Sequence, residues 1–339
     1  MWKHYLIGLL VSVAAVYLFF RAAPPGQMLS SLDQLNLWWL APATAVYILS
    51  YVFRAIRWHF LMRPVALVKF KPLFSALMIG FLGNNILPAH LGEVVRAIVL
   101  GRSEGVSKSA TLATVVLERV YDGLTVLFML LLVLLFVDLP VGQVKGSLIT
   151  THNLHTAGWL GLALFAGLLI VLQAFRWQRA ISLKIMAWLM KPLPQRISAK
   201  ILDGCDAFCD GLAVARARDL VWIGVYSLCT WAVLAVWAWM FILAFGIHLG
   251  FMAGVLMEVV LALALLIPAA PAFVGTFHLA AAATLAFMGA NPGVAGSYAM
   301  VLWLNHFVST TLLGLYYLWR LGLGWGALTG KALRDDKAG

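Results

Sequence analysis

Three ionisable side chains, Glu118, Arg119 and Asp122, stand inside the apolar run from Ser109 to Val137, where charge is hard to keep. At 1.5 Å of rise per residue they lie about 15 Å along a helix from its start. An unpaired charge at that depth costs at least about 2.5–3.5 kcal/mol. Glu118 and Asp122 share a helix face at i, i+4, and Arg119 reaches Asp122 at i, i+3. Two readings follow. The three form an internal ion pair that locks helices together, or they line a wet cavity that takes a headgroup or a coupling ion.

A second polar group follows the short apolar segment 72–87, which closes with Gly83-Asn84-Asn85-Ile86-Leu87-Pro88. Asparagines at a helix break satisfy freed backbone groups, or offer amide donors and acceptors to a polar lipid head. Beyond them come His90, Glu93 and Arg96, with Glu93 and Arg96 placed to pair with Arg119 or Glu118 across a cavity. Arg54 and Arg57, one turn apart near the end of their helix, read as snorkelling topology markers or as phosphate ligands. In the second half, Pro268, Pro271, Gly275, Thr276 and His278 form a counterpart break, with Asn305 and His306 in the last helix. Thr276 and His278 are candidates for polar lining, and a packing role is the alternative for His278.

The helices that hold these residues are set by hydropathy. The chain has 339 residues, 63% hydrophobic and 11% charged, against roughly 25% charged in soluble proteins. Its mean hydropathy is +0.95, and apolar runs near the ~20 residues that cross a bilayer recur along it. The expected fold is an all-α polytopic membrane helix bundle of about six spans, 4–20, 38–60, 109–137, 157–175, 220–245 and 294–318. The first resembles a signal peptide but reads as an uncleaved helix, since further spans follow. Segments 72–87 and 253–289 are broken, which suggests re-entrant hairpins, with plain short spans as the alternative. Broken segments in corresponding places suggest an inverted repeat, with half-repeats 1–137 and 156–320 joined through a cytoplasmic amphipathic segment, 176–219.

The net charge of +11 sits largely between the apolar runs, where it sets topology and meets anionic lipid. Nucleic-acid binding is not expected. The basic cluster Arg54, Arg57, Arg63, Lys69 and Lys71 marks a cytoplasmic side, which puts both termini in the cytoplasm. Cys205, Cys209 and Cys229 make no disulfide framework, and Asp203, Asp206 and Asp210 read as a solvated face rather than a metal site. No nucleophile–base pair, HExxH, phosphate-cradling glycine loop or ATP module stands out, so neither an enzyme nor a metal or cofactor is expected. Transport would be passive, ion-coupled or driven by a partner.

The stretch Asn84…Pro88…Gly92-Glu93…Arg96, followed by Glu118-Arg119…Asp122, resembles the flippase-like family that includes the transmembrane domain of lysylphosphatidylglycerol synthases. That family's pattern is N-x-x-x-P-x-x-x-G-E-x-x-R, then E-R-x-x-D. Its second-half pattern is met by Pro268, Pro271, Gly275 and His278, with Ala272 where a glycine is usual and His278 where a glutamate is common. The resemblance implies moving or positioning a membrane lipid between two facing hairpins, in a bacterial inner membrane. The lipid would be a phospholipid, a polyprenyl-linked sugar or a hopanoid, and an oligomer or pathway enzymes are candidate partners. The soluble aminoacyl-transferase domain of the synthases is not expected here. An intramembrane lipid-modifying transferase and a scaffold for a lipid-pathway complex are the rival readings.

Overall fold

A computed structural model describes residues 2–87, 91–136, 178–190, 217–267 and 269–324, with isolated positions between 159 and 206. Among these residues the secondary structure is helical, as a bilayer requires, because each helix satisfies its own backbone groups. In chain order the helices are α1 (Trp2–Ala22), α2 (Pro25–Ser31), α3 (Leu40–Met62), α4 (Phe70–Ile86), α5 (Gly92–Glu104) and α6 (Lys108–Phe136). After them come α7 (Arg179–Leu189), α8 (Ala217–Ala244), α9 (Phe251–Ala264), α10 (Thr276–Phe287) and α11 (Pro292–Arg320).

Four of these pass for spans by length and composition: α3, α6, α8 and α11. A fifth is reached if Gly8–Ala22 and Pro25–Gln34, bent by 66° at Pro24, count as one. Proline removes a donor and clashes with the preceding turn, which accounts for the bend. The expected span 157–175 lies outside the described residues, apart from isolated positions. So do Cys205, Cys209 and Asp210. The amphipathic helix expected after residue 176 is present as α7, with Ile181, Ile185 and Trp188 exposed along one stripe.

Segment 72–87 is one continuous helix, α4, rather than a hairpin in itself, and it pairs with α5 to make one; segment 253–289 forms a hairpin of α9 and α10. Their arms run 17 and 13 residues in α4 and α5, and 14 and 12 in α9 and α10, short of the ~20 a crossing takes. The first hairpin closes tightly because Gly80 and Gly92 face each other. A Cβ on Gly92 would run into the Gly80 carbonyl oxygen and the backbone of Asn84. Pro88 and His90 lie in this break, outside the described residues, and so does Pro268 in the other.

In the second break, Pro271–Phe273 forms a tight turn that packs on α4, so the second hairpin touches the first. Helix α11 ties both. Its Trp303 Nε1 donates to the Ala272 carbonyl at 2.8 Å, and its Thr310 and Thr311 hydroxyls accept from Asn85 Nδ2 at 2.8 and 3.0 Å.

Ala272 adopts φ 56°, a left-handed conformation that crowds its Cβ by about 1–2 kcal/mol. This is the position where a glycine is usual in the resembling family. Ala272→Gly is therefore expected to raise stability by about 0.5–1 kcal/mol, after the unfolded-chain entropy that glycine adds. Thermal unfolding in detergent checks this. A lowered melting point would show that the turn is not strained.

Candidate functional site

Helix α3 carries Arg54, Arg57 and Trp58 on one buried face, which Tyr47, Tyr51 and Leu61 extend at helical spacing. Helix α6 faces it with Glu118 and Asp122, on a stripe that runs from Thr111 through Val115 to Met129. The α4–α5 hairpin adds Arg96 and Glu93, because α5 packs on α6. Helix α8 closes the site with Ser227 and Trp231. Four elements thus bring charge and polar groups to one place inside the bundle.

Arg57 is the hub. Its Nη1 donates to Asp122 Oδ1 at 2.6 Å and to Ser227 Oγ at 3.0 Å, and its Nη2 lies 3.0 Å from Glu118 Oε1. Arg96 Nη1 donates to Glu118 Oε2 at 2.9 Å while its guanidinium lies 5.0 Å from the Trp58 ring. Trp231 Nε1 donates to Asp122 Oδ1 at 3.0 Å. Arg54 stands between the Phe81 and Trp231 rings and 3.7 Å from Asp122 Oδ2. Arg119 completes the set, 3.0 Å from Glu93, 3.3 Å from Glu118 and 3.3 Å from Asp122. The pairing of Glu93 and Arg96 with Arg119 and Glu118 is the arrangement expected from their spacing.

The side chains of Arg57 and Glu118 are 0% exposed, whereas that of Arg119 is 42% exposed. The network therefore has a sealed interior and one open face. At that face a crevice of about 10 Å³, bordered by Phe81, Asn84, Gly92, Glu93, Arg96 and Arg119, has room for about one water. Burial corrects two expectations. Glu118 does not line an opening, and Arg57 does not snorkel. Each is held by several partners because a lone charge in hydrocarbon is unstable. Arg54 is buried as well, between its two rings.

Within ion-pair distance four guanidiniums, Arg54, Arg57, Arg96 and Arg119, face three carboxylates, Glu93, Glu118 and Asp122, and the Glu258 carboxyl interacts with Arg54 from beyond that distance. Several donors are also buried without a hydrogen-bond partner, among them Arg54 Nε and the Arg96 Nε and Nη2. At the hairpin tip, Asn84 Oδ1 is in the same condition. Guanidinium groups with spare N–H donors suit carboxylates and phosphates, whose oxygens they meet in pairs.

Second-half candidates are not part of this network. His278 Nδ1 accepts the Gly275 N–H at 3.3 Å and its ring packs on Trp303, while the Thr276 hydroxyl donates to the Phe273 carbonyl at 3.2 Å. Gly275, at φ 91°, lets α1 approach, and Pro271 starts the turn. These residues shape the second hairpin. Beside it lies a second polar group, in which His306 meets residues that the sequence motifs do not mark. Tyr47 bonds both Tyr51 and His306, and Glu258 is buried on α9 with Oε1 unpartnered. Arg54 and Tyr298 interact electrostatically with that carboxyl. An acid in the apolar run 253–267 is the signal that marks it, by the same rule that singles out Glu118.

A family model described as the lysylphosphatidylglycerol synthase TM region matches residues 5–314. The chain is similar to Glycosyltransferase AglD of Haloferax volcanii, 25% identical over 316 residues, 87% of this chain and 50% of that protein. It is also similar to a UPF0104 membrane protein of Methanothermobacter thermautotrophicus, 20% identical over 91% of this chain and 93% of that one. A UPF0104 membrane protein of Methanocaldococcus jannaschii is 35% identical over 27% of this chain and 28% of its own. The chain thus spans half the length of the Haloferax relative it matches. No solved structure matches it.

Proposed function

The chain belongs to the family of the lysylphosphatidylglycerol synthase transmembrane region, and from that premise we propose that it is a flippase-like lipid translocase acting on amphiphiles with an anionic or phosphorylated head. What carries this reading is the surplus guanidinium charge of a buried network that opens through Arg119 at a hairpin tip. The head would meet Arg119, Arg96 and Asn84 first, with Glu93 as the carboxylate it displaces from Arg119. Glu118, Asp122 and Arg57 would hold the receiving surface in place. A crevice of one-water size belongs to a closed state, so passage requires the α4–α5 hairpin to move away from α6.

Each half of the chain contributes one hairpin, and rocking of one half against the other would give alternating access. The same reading puts the protein in a bacterial inner membrane, with both termini in the cytoplasm beside the basic cluster of residues 54–71.

Proteoliposomes with fluorophore-headed phosphatidylglycerol or phosphatidylcholine, bleached from outside by dithionite, test the proposal. The expected result is faster loss of the inner-leaflet anionic lipid than in protein-free vesicles, with phosphatidylcholine lagging. Equal rates with and without protein, for phosphatidylglycerol and for a polyprenyl phosphate alike, would reject it. The name of the Haloferax relative favours a second reading, in which this membrane region serves a sugar transfer. A new glycolipid formed by the purified protein from a sugar donor, seen by lipid mass spectrometry, would select that reading.

A further inference from the structure

Away from the ion network, a cleft of about 340 Å³ opens where the end of α3 meets the start of α8. Phe60, Arg63, Arg218, Asp219, Trp222 and Tyr226 line it. The Phe60 ring stacks on Tyr226 at 5.7 Å and 22°, and on Trp222 at 6.3 Å and 18°. These three rings make an aromatic ledge. Over it, the Arg63 guanidinium lies 4.4 Å from the Phe60 ring and its Nη1 donates to Asp219 Oδ1 at 2.6 Å. Asp219 is thereby neutralised. Arg218 is exposed and has no ion-pair partner among the described residues, so the cleft keeps one free guanidinium.

A free guanidinium above a flat apolar floor matches a phosphate ester joined to an apolar body. The floor continues outward. Val221, Val225 and Leu228 are exposed on α8 beside the cleft, a strip suited to an acyl chain. Trp222 and Tyr226 are the residue types that settle at headgroup level. Inward of the cleft, α3 and α8 stay packed together. Ser227, next to Tyr226, accepts from Arg57, which lies roughly 9 Å from Arg63 along α3.

We propose that this cleft is a docking site for the phosphate head of an anionic membrane lipid, at the outer end of the seam that leads to Arg57. Arg218 binds the phosphate, the aromatic ledge supports the glycerol or sugar portion, and the chains lie along α8. The inference rests on reading the protein as an amphiphile translocase. Its test reads binding, so it can fail while translocation stands.

Native mass spectrometry of the detergent-purified protein, titrated with dioleoylphosphatidylglycerol or dioleoylphosphatidylcholine, reads the site. Titrations in the Arg119→Gln background separate the cleft from the hairpin crevice. There, the remaining phosphatidylglycerol site is expected to bind at least five-fold tighter than phosphatidylcholine. Arg218→Gln should remove that preference, and Trp222→Ala should weaken it. Arg320→Gln, an exposed basic residue beside Tyr316 on α11, should leave it unchanged. Equal binding of the two lipids, retention by Arg218→Gln, or the same loss in Arg320→Gln would overturn the proposal. Displacement of the lipid by 10 mM inorganic phosphate would overturn it too, in favour of a soluble-phosphate site.

Discussion

Arg57→Ala is expected to lower stability by about 3–5 kcal/mol, the range for removing one member of a buried ion pair. The guanidinium reaches Asp122, Glu118 and Ser227 at once, from a side chain with no exposed surface. Without it, Glu118 keeps Arg96 and Arg119, and Asp122 keeps Arg119, Arg54 and Trp231, but Asp122 loses its shortest bridge and Glu118 its ion pair with α3. Arg57→Lys should recover part of the loss. An ammonium restores the charge but cannot span two carboxylates as a planar fork does. Thermal unfolding in detergent orders the three proteins as wild type, Arg57→Lys, then Arg57→Ala. If Arg57→Ala melted within about 1 kcal/mol of wild type, the network would have no part in holding α3 to α6.

Arg119→Gln is expected to reduce translocation of an anionic lipid at least ten-fold while the protein stays folded. Its side chain is 42% exposed at the crevice and pairs with Glu93 at 3.0 Å, so its removal takes the surplus charge out of the network. Its half-exposed pair with Glu93 contributes only about 0–1 kcal/mol, and Glu118 and Asp122 both keep Arg57, so the melting point should fall less than in Arg57→Ala. This is a sharper test of transport than Glu118→Gln. Glu118 is fully buried among three arginines, and neutralising it perturbs fold and function together. Flipping assays that give Arg119→Gln the wild-type rate would show that Arg119 does not meet the head.

Much of this arrangement is legible in the residues. Hydropathy locates α3, α6, α8 and α11 within a few residues, because crossing length is a hard constraint. Gly-Asn-Asn and Pro-x-x-Pro punctuation marks both hairpins. The i, i+4 pair Glu118 and Asp122 marks α6 as the acidic wall. Arg57 is different, since in sequence it is one of a basic cluster at a helix end. Only packing shows that its side chain turns inward to two carboxylates 61 and 65 positions away. His278 and Thr276 look like lining from their types, yet their partners are backbone groups of their own turn. Local hydrogen bonding of that kind is not encoded by spacing along the helix alone. Glu258 needs no structure to be noticed, but only the fold brings it within electrostatic reach of Tyr47, Tyr51 and Arg54.

Anionic heads should be held by the surplus guanidinium charge at the hairpin tip, and the lipid that copurifies with the protein reports on this most directly. Mass spectrometry of wild-type protein extracted from native membrane should find a phosphorylated or otherwise anionic amphiphile enriched over the bulk membrane, and Arg119→Gln should lose that enrichment. A copurifying pool identical to the bulk membrane in both proteins would contradict the account.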